Sequence, residues 1–379
     1  MSASGQGSAI YATFIDRKNK REYPVEPRVT SLSFGADARQ FTAAFDFEIQ
    51  FGPYEQLDIN SHDFVEFWFW NGNKKHQVGV GFTEDFVKKT NASGNVIQGN
   101  GRDFLAQLMA FPFKARLYKN GPSYKQFLNS AVQDTYIIEY LKFRNRSTNI
   151  IDLGIYTGPM IFTDSATAPR AQVIQEYADL AMNLIYQDRL GRLVVYGRKS
   201  RQLKSDIVGQ TLDAQGDLNV VDMQIRQNYS KVYSSCSVLF QGQDNLDSPS
   251  PTATVASSAV FNSDPRAKGL SQPLIKIFST QDLVGTAGSQ SADFRRNELA
   301  ASFIRKSNQN LSMVVVIADS PFYQTNSGQH IPYEIGQIWK IKNDSYKINS
   351  DHKLVGIHYQ QSSDQLQVQL AFVEPDTLS

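Results

Sequence analysis

The sequence predicts a β-dominated protein in which an α/β segment lies between two antiparallel β regions. Three observations carry this reading. Apolar and polar residues alternate strictly over residues 41–51 and again over 366–372, the period of a half-buried strand. A run of helical period, residues 169–187, falls between them. Aromatic residues make up 12% of the chain, with 24 Phe and 17 Tyr, a content that suits pleated sheet better than a helix bundle. The expected fold class is mixed β and α+β, with two small antiparallel β-barrel domains and an α/β domain between them. At 379 residues the chain exceeds one ordinary core. The expected units are residues 1–110, a first barrel, and 111–204, the α/β domain. Residues 205–285 form β segments that return to the first barrel or bridge the domains, with a mobile loop at 244–268. Residues 286–379 form a helix and a second barrel.

In chain order, residues 9–16 alternate briefly and Lys18-Asn19-Lys20 makes a turn. Residues 63–70 are dense in aromatics and end at Asn71-Gly72, the dipeptide that suits the positive φ of a tight hairpin. Val78, Val80 and Phe82 continue the return strand, and residues 96–98 add another. Gly99-Asn100-Gly101 is expected to be a turn, and Asp103 to cap a short helix at 104–109. Ser123 is expected to cap a helix near 124–129; residues 136–143 form a third helix and 150–153 a strand. Pro169 opens the clearest helix, predicted over 169–187, where its missing amide costs nothing. Ile174, Ala178, Ala181, Leu184 and Ile185 form its apolar face. The turn Asp188-Arg-Leu-Gly-Arg192 then leads into a strand at 193–196. Strands follow within 220–241 around a turn at Tyr229, and residues 244–268 are rich in Ser, Pro, Thr, Ala and Asp, which predicts a long loop. Residues 274–278 read as a strand and 291–307 as a helix, with Phe294, Leu299, Phe303 and Ile304 inward. Strands at 313–317, 339–341, 346–348, 354–359 and 366–372 close the chain.

Lys plus Arg total 38 and Asp plus Glu 37, a net charge of +1 without the basic excess of a dedicated nucleic-acid binder. The single cysteine, Cys236, permits neither an intrachain disulfide nor a thiolate zinc site, and its strand-like setting predicts a buried structural thiol. The first residues lack a basic and apolar leader, and no apolar run reaches about 18 residues, so neither a secretory signal nor a membrane-spanning helix is expected. A reducing cytosol is the expected site of folding.

Chemistry-bearing motifs are sparse. His62, His76, His330, His352 and His358 show no His-Glu-x-x-His or related spacing. Gly-x-Ser-x-Gly and Walker A sequences are absent, and Gly99-Asn-Gly101 lacks the third glycine of a dinucleotide fingerprint. Carboxylate pairs such as Glu84-Asp85 are too common in a chain with 37 acids to indicate a glycosidase. The sequence therefore predicts no catalytic, cofactor-binding or metal residues, no cofactor and no enzyme activity. The aromatic run at 64–70 invites a base- or sugar-stacking reading. Alternation instead sends one face into a core and leaves the other for a neighbouring domain or subunit.

The ordered string of segments resembles the baseplate hub proteins of contractile phage tails, the Mu-type tail hub and late control protein D family, and is similar to the hub part of type VI secretion spike proteins. The resemblance runs nearly the whole chain. It rests on Val96-Ile-Gln-Gly-Asn-Gly-Arg-Asp103 with its short helix, on Asp188-Arg-Leu-Gly-Arg-Leu193 after a helix, and on residues 219–243. It continues through the Arg-rich helix at 293–306, Gly336-Gln-Ile-Trp-Lys-Ile-Lys-Asn-Asp344, residues 353–372 and the tail Val373-Glu-Pro-Asp376. It implies a homotrimer whose two barrels per chain are tube domains of a pseudo-sixfold ring. Such a ring joins the sixfold tail tube protein to the threefold central spike protein, with the tape-measure protein and baseplate wedge proteins as further partners. DNA passes through its lumen without specific binding, and no membrane insertion is implied. The location implied is the virion tail baseplate, assembled in the host cytoplasm.

Candidate subunit or tail-protein contacts are the outward members of Phe64, Phe67, Trp68, Phe69 and Trp70, and the basic helix face Arg295, Arg296, Arg305 and Lys306. The loop at 244–268 is a further candidate contact, to the spike, the tape-measure protein or a wedge. The rival readings are a hub-like tail-associated protein of a non-contractile tail, a tail-associated cell-wall hydrolase and a bacterial secretion spike. A chain that stops at Ser379, just after its last barrel, favours a bare hub among these.

Overall fold

The structure is a computed structural model. It describes residues 9–51, 57–70, 75–91, 94–111, 124–153, 169–180, 183–197, 207–242, 253–256, 259–278, 292–362 and 365–375. Seven strands open the chain: β1 (Ala9–Asp16), β2 (Arg21–Glu22), β3 (Val29–Asp37), β4 (Ala44–Phe51), β5 (Phe64–Trp70), β6 (Lys75–Asn91) and β7 (Gly94–Arg102). A 3-10 turn, Phe104–Ala106, runs into α1 (Gln107–Ala110), followed by α2 (Tyr124–Ala131), α3 (Tyr136–Phe143), β8 (Ile151–Leu153), α4 (Arg170–Leu180), β9 (Asn183–Gln187) and β10 (Leu193–Gly197). Next come β11 (Ile207–Asp213), β12 (Asp222–Arg226), β13 (Ser235–Gly242), β14 (Ala253–Ala256), β15 (Val260–Phe261), β16 (Pro273–Phe278) and α5 (Ala292–Asn308). The chain ends in β17 (Met313–Ala318), β18 (Phe322–Gln324), β19 (His330–Pro332), β20 (Ile338–Asn343), β21 (Ile348–Gln361) and β22 (Leu366–Val373).

The fold is mostly antiparallel sheet with few helices, and it corrects the expectation of two separate barrels. One 13-stranded sheet runs β12-β17-β22-β21-β3-β4-β7-β6-β5-β1-β2, with β20 on β21 and β11 on β20. Apart from the two-residue β2 at the edge of β1, it divides into two six-stranded halves, β1-β5-β6-β7-β4-β3 and β12-β17-β22-β21-β20-β11. They join at β21, a strand of 14 residues. Its first part, Ile348 to Lys353, pairs with β20, and its second, Gly356 to Gln361, pairs with β3. The first half curls until β1 meets the approach to β3, but only through the isolated bridge Tyr11↔Arg28, so its ladder does not close.

The curl is packed with rings. Phe34, Phe45, Phe47 and Phe67 are all buried, with centroids 5.2 Å apart for Phe45–Phe67 and 5.8 Å for Phe34–Phe67. Glycines facing them on β6 and β7 make the room. A Cβ at Gly79 would lie 2.1 Å from the Phe34 ring, and one at Gly101 would lie 2.2 Å from the Phe82 carbonyl and 2.4 Å from the Phe45 ring. Gly99 and Gly101, read in the sequence as a turn, are therefore strand residues of β7.

Three further expectations change. The helix predicted to reach residue 187 ends at Leu180, and Asn183–Gln187 is strand β9, a hairpin partner of β10. Leu184 and Tyr186 face one core cluster and Ile185 another, and a run buried on both sides has no period that tells helix from strand. The loop expected at 244–268 contains β14, β15 and a 3-10 turn at Pro265–Ala267 capped by the Asp264 side chain; residues 243–252 and 257–258 lie outside the described residues. Of the strand expected at 346–348, Tyr346 and Lys347 lie in a turn, with Lys347 at φ 55° and Tyr346 exposed, and only Ile348 belongs to a strand, as the first residue of β21. The proposed caps and turns at Ser123 and Asn71-Gly72 also lie outside the described residues.

Three small sheets complete the described fold, one of them the hairpin β18-β19. β8-β10-β9 sits with α1–α4, their shared core including Leu105, Phe127, Tyr140, Ile174 and Val195. β14, β15 and β16 all pair with β13, β16 running parallel to it. One face of this sheet packs Cys236 and Val238 against Leu299, Ala300, Phe303 and Ile304 of α5.

Candidate interaction surface

The motifs that carried the sequence resemblance are joints of the fold. In Gly101-Arg102-Asp103, Gly101 admits the Phe45 ring and Arg102 pairs with Glu84. Asp103 caps the 3-10 turn from its Ala106 amide at 3.2 Å and holds β4 through Thr42 Oγ1 at 2.7 Å and the Ala43 amide at 2.9 Å. Burial pushes its carboxyl up to about 6, against the lowering by these three donors. In Asp188-Arg-Leu-Gly-Arg192, Asp188 Oδ1 accepts from the Leu190 and Arg192 amides, and Gly191 takes φ +82°, a region that favours glycine.

A buried polar network ties the sheet to the helical region. Glu66 on β5 is fully buried and accepts from the Tyr140 hydroxyl, Arg144 Nε at 2.6 Å, Arg144 Nη2 and Trp68 Nε1 at 3.1 Å. Arg146 extends the network to Gln77 Oε1 and the Leu190 carbonyl, both at 2.8 Å. Burial, and then the Glu66 carboxylate, drive the Tyr140 hydroxyl well above its ordinary range.

The aromatic run thus serves mainly inside the chain. Phe64, Phe67 and Phe69 are core residues and present no outer surface. Trp68 and Trp70 are half-buried, and Lys75 Nζ lies 4.7 Å above the Trp68 ring. The side chains of Arg295 and Arg296 lie outside the described residues, although both residues are in α5. Arg305 is half-buried, with its Nε shielded and without an acceptor among the described residues. Lys306 reaches Asp179 on α4 at 3.5 Å.

Among the described residues no cluster of His, Cys, Asp and Glu has metal-binding geometry. His76 and His330 flank the Phe322 ring, at 4.2 and 6.2 Å between centroids, and burial lowers His358. Cys236 is fully buried and burial raises its thiol to about 11, far from a nucleophile's range. Lys353 is buried against the Tyr196 ring at 3.6 Å, and burial lowers its ammonium to about 8. A cavity of about 230 Å³ opens where both sheet halves meet β9 and β10, lined by Phe34, Tyr186, Arg189, Tyr333 and Tyr359 among others.

Open apolar surface appears where the sequence carries little signal. Phe261 on β15 is 76% exposed, and Ile275 and Ile277 on β16 are 62% and 57% exposed. The alternation within β16 was the available clue. Leu218 is 98% exposed in the turn between β11 and β12, beside Val221 at 58%.

The architecture is similar to that of solved phage and prophage tail proteins. No family model matches the chain, and no curated protein matches it. Among solved structures, a tail protein from Neisseria meningitidis MC58 superposes with a TM-score of 0.69 at 16% identity, covering 98% of this chain and 99% of that one. The 43 kDa tail protein of prophage MuSo2 from Shewanella oneidensis gives 0.66 at 15% identity, covering 98% and 99%. An E. coli protein described as a type VI secretion system component, with structural similarity to the T4 tail proteins gp27 and gp5, gives 0.51 at 8% identity, covering 92% and 75%. Over nearly its full length the chain therefore shares the mostly antiparallel fold of these tail proteins.

Proposed function

We propose that the protein is the structural hub of a phage tail baseplate, a homotrimeric adapter that joins a sixfold tail tube to a threefold central spike and encloses the DNA channel. The observation that carries the reading is the division of one continuous sheet into two six-stranded halves. Three copies would present six such halves, the count needed to meet a sixfold tube on one side while remaining threefold on the other. The full-length likeness to tail proteins supports it. The reading keeps residues 1–110 and 286–379 as the tube domains, the second completed by β11 and β12, with 111–204 and the rest of 205–285 between them. Its partners are the tube, spike, tape-measure and wedge proteins, its place is the virion, and its role requires no chemistry. The near-neutral charge of +1 suits a channel that must release DNA. Trp68, Trp70 and the α5 surface bearing Arg295, Arg296 and Arg305 are candidate contacts with tail proteins. Charge reversal at Arg295 and Arg296 that left assembly unchanged would remove that helix from the list.

Light scattering followed by negative-stain imaging tests the proposal. A mass near three chains and threefold rings with a central hole are expected. A protein that stays monomeric even with its spike partner refutes it. Murein lysis that depends on one specific carboxylate would instead establish the cell-wall hydrolase.

A further inference from the structure

Strands β12 and β17 carry opposite charge at their two ends. Asp222 pairs in register with Ile317, and Arg226 with Met313. At the Asp222 end, the β11–β12 turn brings Asp217, and Asp319 follows the last residue of β17. Asp222 and Asp319 are exposed. Asp217 accepts from Asn219 through Oδ1 at 2.8 Å, while its Oδ2 meets no donor among the described residues. Leu218 and Val221 stand open beside these carboxylates.

The other end is basic. Arg226, Lys231 and Lys268 are exposed there, and none of the three makes an ion pair with a described residue. Lys231 is placed by the Asn228 amide bonded to the Asn310 carbonyl at 2.8 Å, Lys268 by Ala267 packing on Val232 and Leu311. The sheet β14-β13-β15 with β16 begins at this end, through the Ser234 amide bonded to the Gln272 carbonyl at 2.9 Å. Its parallel pair, β13 and β16, is covered by α5 on one face and open on the other among the described residues, whereas parallel strands are ordinarily covered on both. Phe261, Ile275 and Ile277 line that open face. All three project from the face opposite α5, where open apolar side chains suit a contact with another protein.

We infer that these two ends are the two halves of a head-to-tail contact between copies of this chain. The acidic end of one copy, with Leu218 and Val221, meets the basic end of the next, with its open β15–β16 face. A cyclic ring needs such a pair, because a heterologous contact uses two different surfaces on each subunit. The charge rim and apolar centre match interface anatomy, and the patch supplies the middle of a standard contact of about 800 Å² per partner. The inference rests on the homotrimer reading and adds which surfaces close the ring.

The test uses two double variants of the full chain, all at exposed positions. Arg226→Glu with Lys231→Glu makes both ends acidic, and Asp222→Lys with Asp319→Lys makes both ends basic. At a concentration where the wild type scatters as three chains, each variant alone is expected to fall to one chain. Its association constant should weaken by at least about tenfold, since like charges then face each other. An equal mixture of the two should associate to more than one chain. The quadruple variant, with both ends exchanged, should regain the wild-type mass. Unchanged melting and circular dichroism establish that the variants fold. A trimeric wild type whose variants also stay trimeric overturns this assignment alone, as does a mixture that fails to associate. A wild type that never trimerises overturns it together with the homotrimer reading.

Discussion

Replacing Glu66 by Ala should produce the largest single loss of stability available in the joint between the sheet and the helical region. Its carboxylate is fully buried and takes donors from Tyr140, Arg144 and Trp68. Removing it strands a guanidinium, a phenol and an indole N–H at once. Breaking a buried ion pair from one side costs about 3–5 kcal/mol, and the unmatched neutral donors make the upper part of that range the expectation. Arg144 keeps its contact with Glu22, which limits the loss. The double variant Glu66→Leu, Arg144→Met removes both charges and should be more stable than the sum of the single losses implies, by at least about 1 kcal/mol. Urea unfolding followed by tryptophan fluorescence is the assay. Trp68 is one of only three tryptophans and bonds directly to Glu66, so its emission reports the joint itself. A Glu66→Ala loss under about 1 kcal/mol, or strict additivity in the double variant, would show that the network is solvated and that packing alone holds the helices to β5.

Three further outcomes are expected. Gly101→Ala should lower stability by roughly 2–4 kcal/mol, because its Cβ meets the immovable Phe82 carbonyl as well as the Phe45 ring; a neutral effect in the same unfolding assay would show that β4 and β7 can part freely. Lys353→Met should stabilise by about 1–3 kcal/mol near neutral pH. The folded ammonium titrates at about 8 against an ordinary 10.5, so wild-type stability rises with pH between those values. The advantage of the variant should accordingly be full below pH 8 and fade toward 10.5, as melting curves across that range would reveal; a constant difference would contradict it. Cys236 should resist a thiol reagent in the native protein and react once unfolded; fast native labelling would mean that α5 lifts from β13.

The strands with one wet face were readable, and for a physical reason. β4 and β22 alternate because one side of each meets a core and the other does not, and their periods survive in the residues. The cap at Asp103 and the hairpin turn at Asp188 were equally plain, since both depend on local bonding. β3 escaped notice. Its buried residues Val29, Leu32 and Phe34 break step at a bulge, so no clean period marks it. β9 reads as a continuation of the preceding helix because both of its faces are buried. The glycines of β7 looked like a turn because the rings that require them come from β4, some fifty residues earlier in the chain. The aromatic run at 64–70 announced an apolar surface without saying for whom; Phe64, Phe67 and Phe69 are spent on the chain's own interior. The open face of β16 carries a weaker signal, two isoleucines in a short strand, yet it is the surface left uncovered.

The seam between β3 and β21 sets an order of events in time. Leu32 pairs with Gln361, and Asp37 with Gly356, so the first half of the sheet keeps one margin bare until residues near 361 have been synthesised. During that interval β3 offers an unpaired row of amides and carbonyls to any extended segment nearby, including the β3 of another nascent copy. The last strands therefore complete the first ones. Because β21 is held in register by β20, β22 and β3 together, a one-residue slip would turn side chains outward in both halves at once. Truncation a few residues before Gln361 thus threatens the fold of residues made hundreds of positions earlier, and a chaperone that shields β3 during synthesis would act where the protein is most exposed to error.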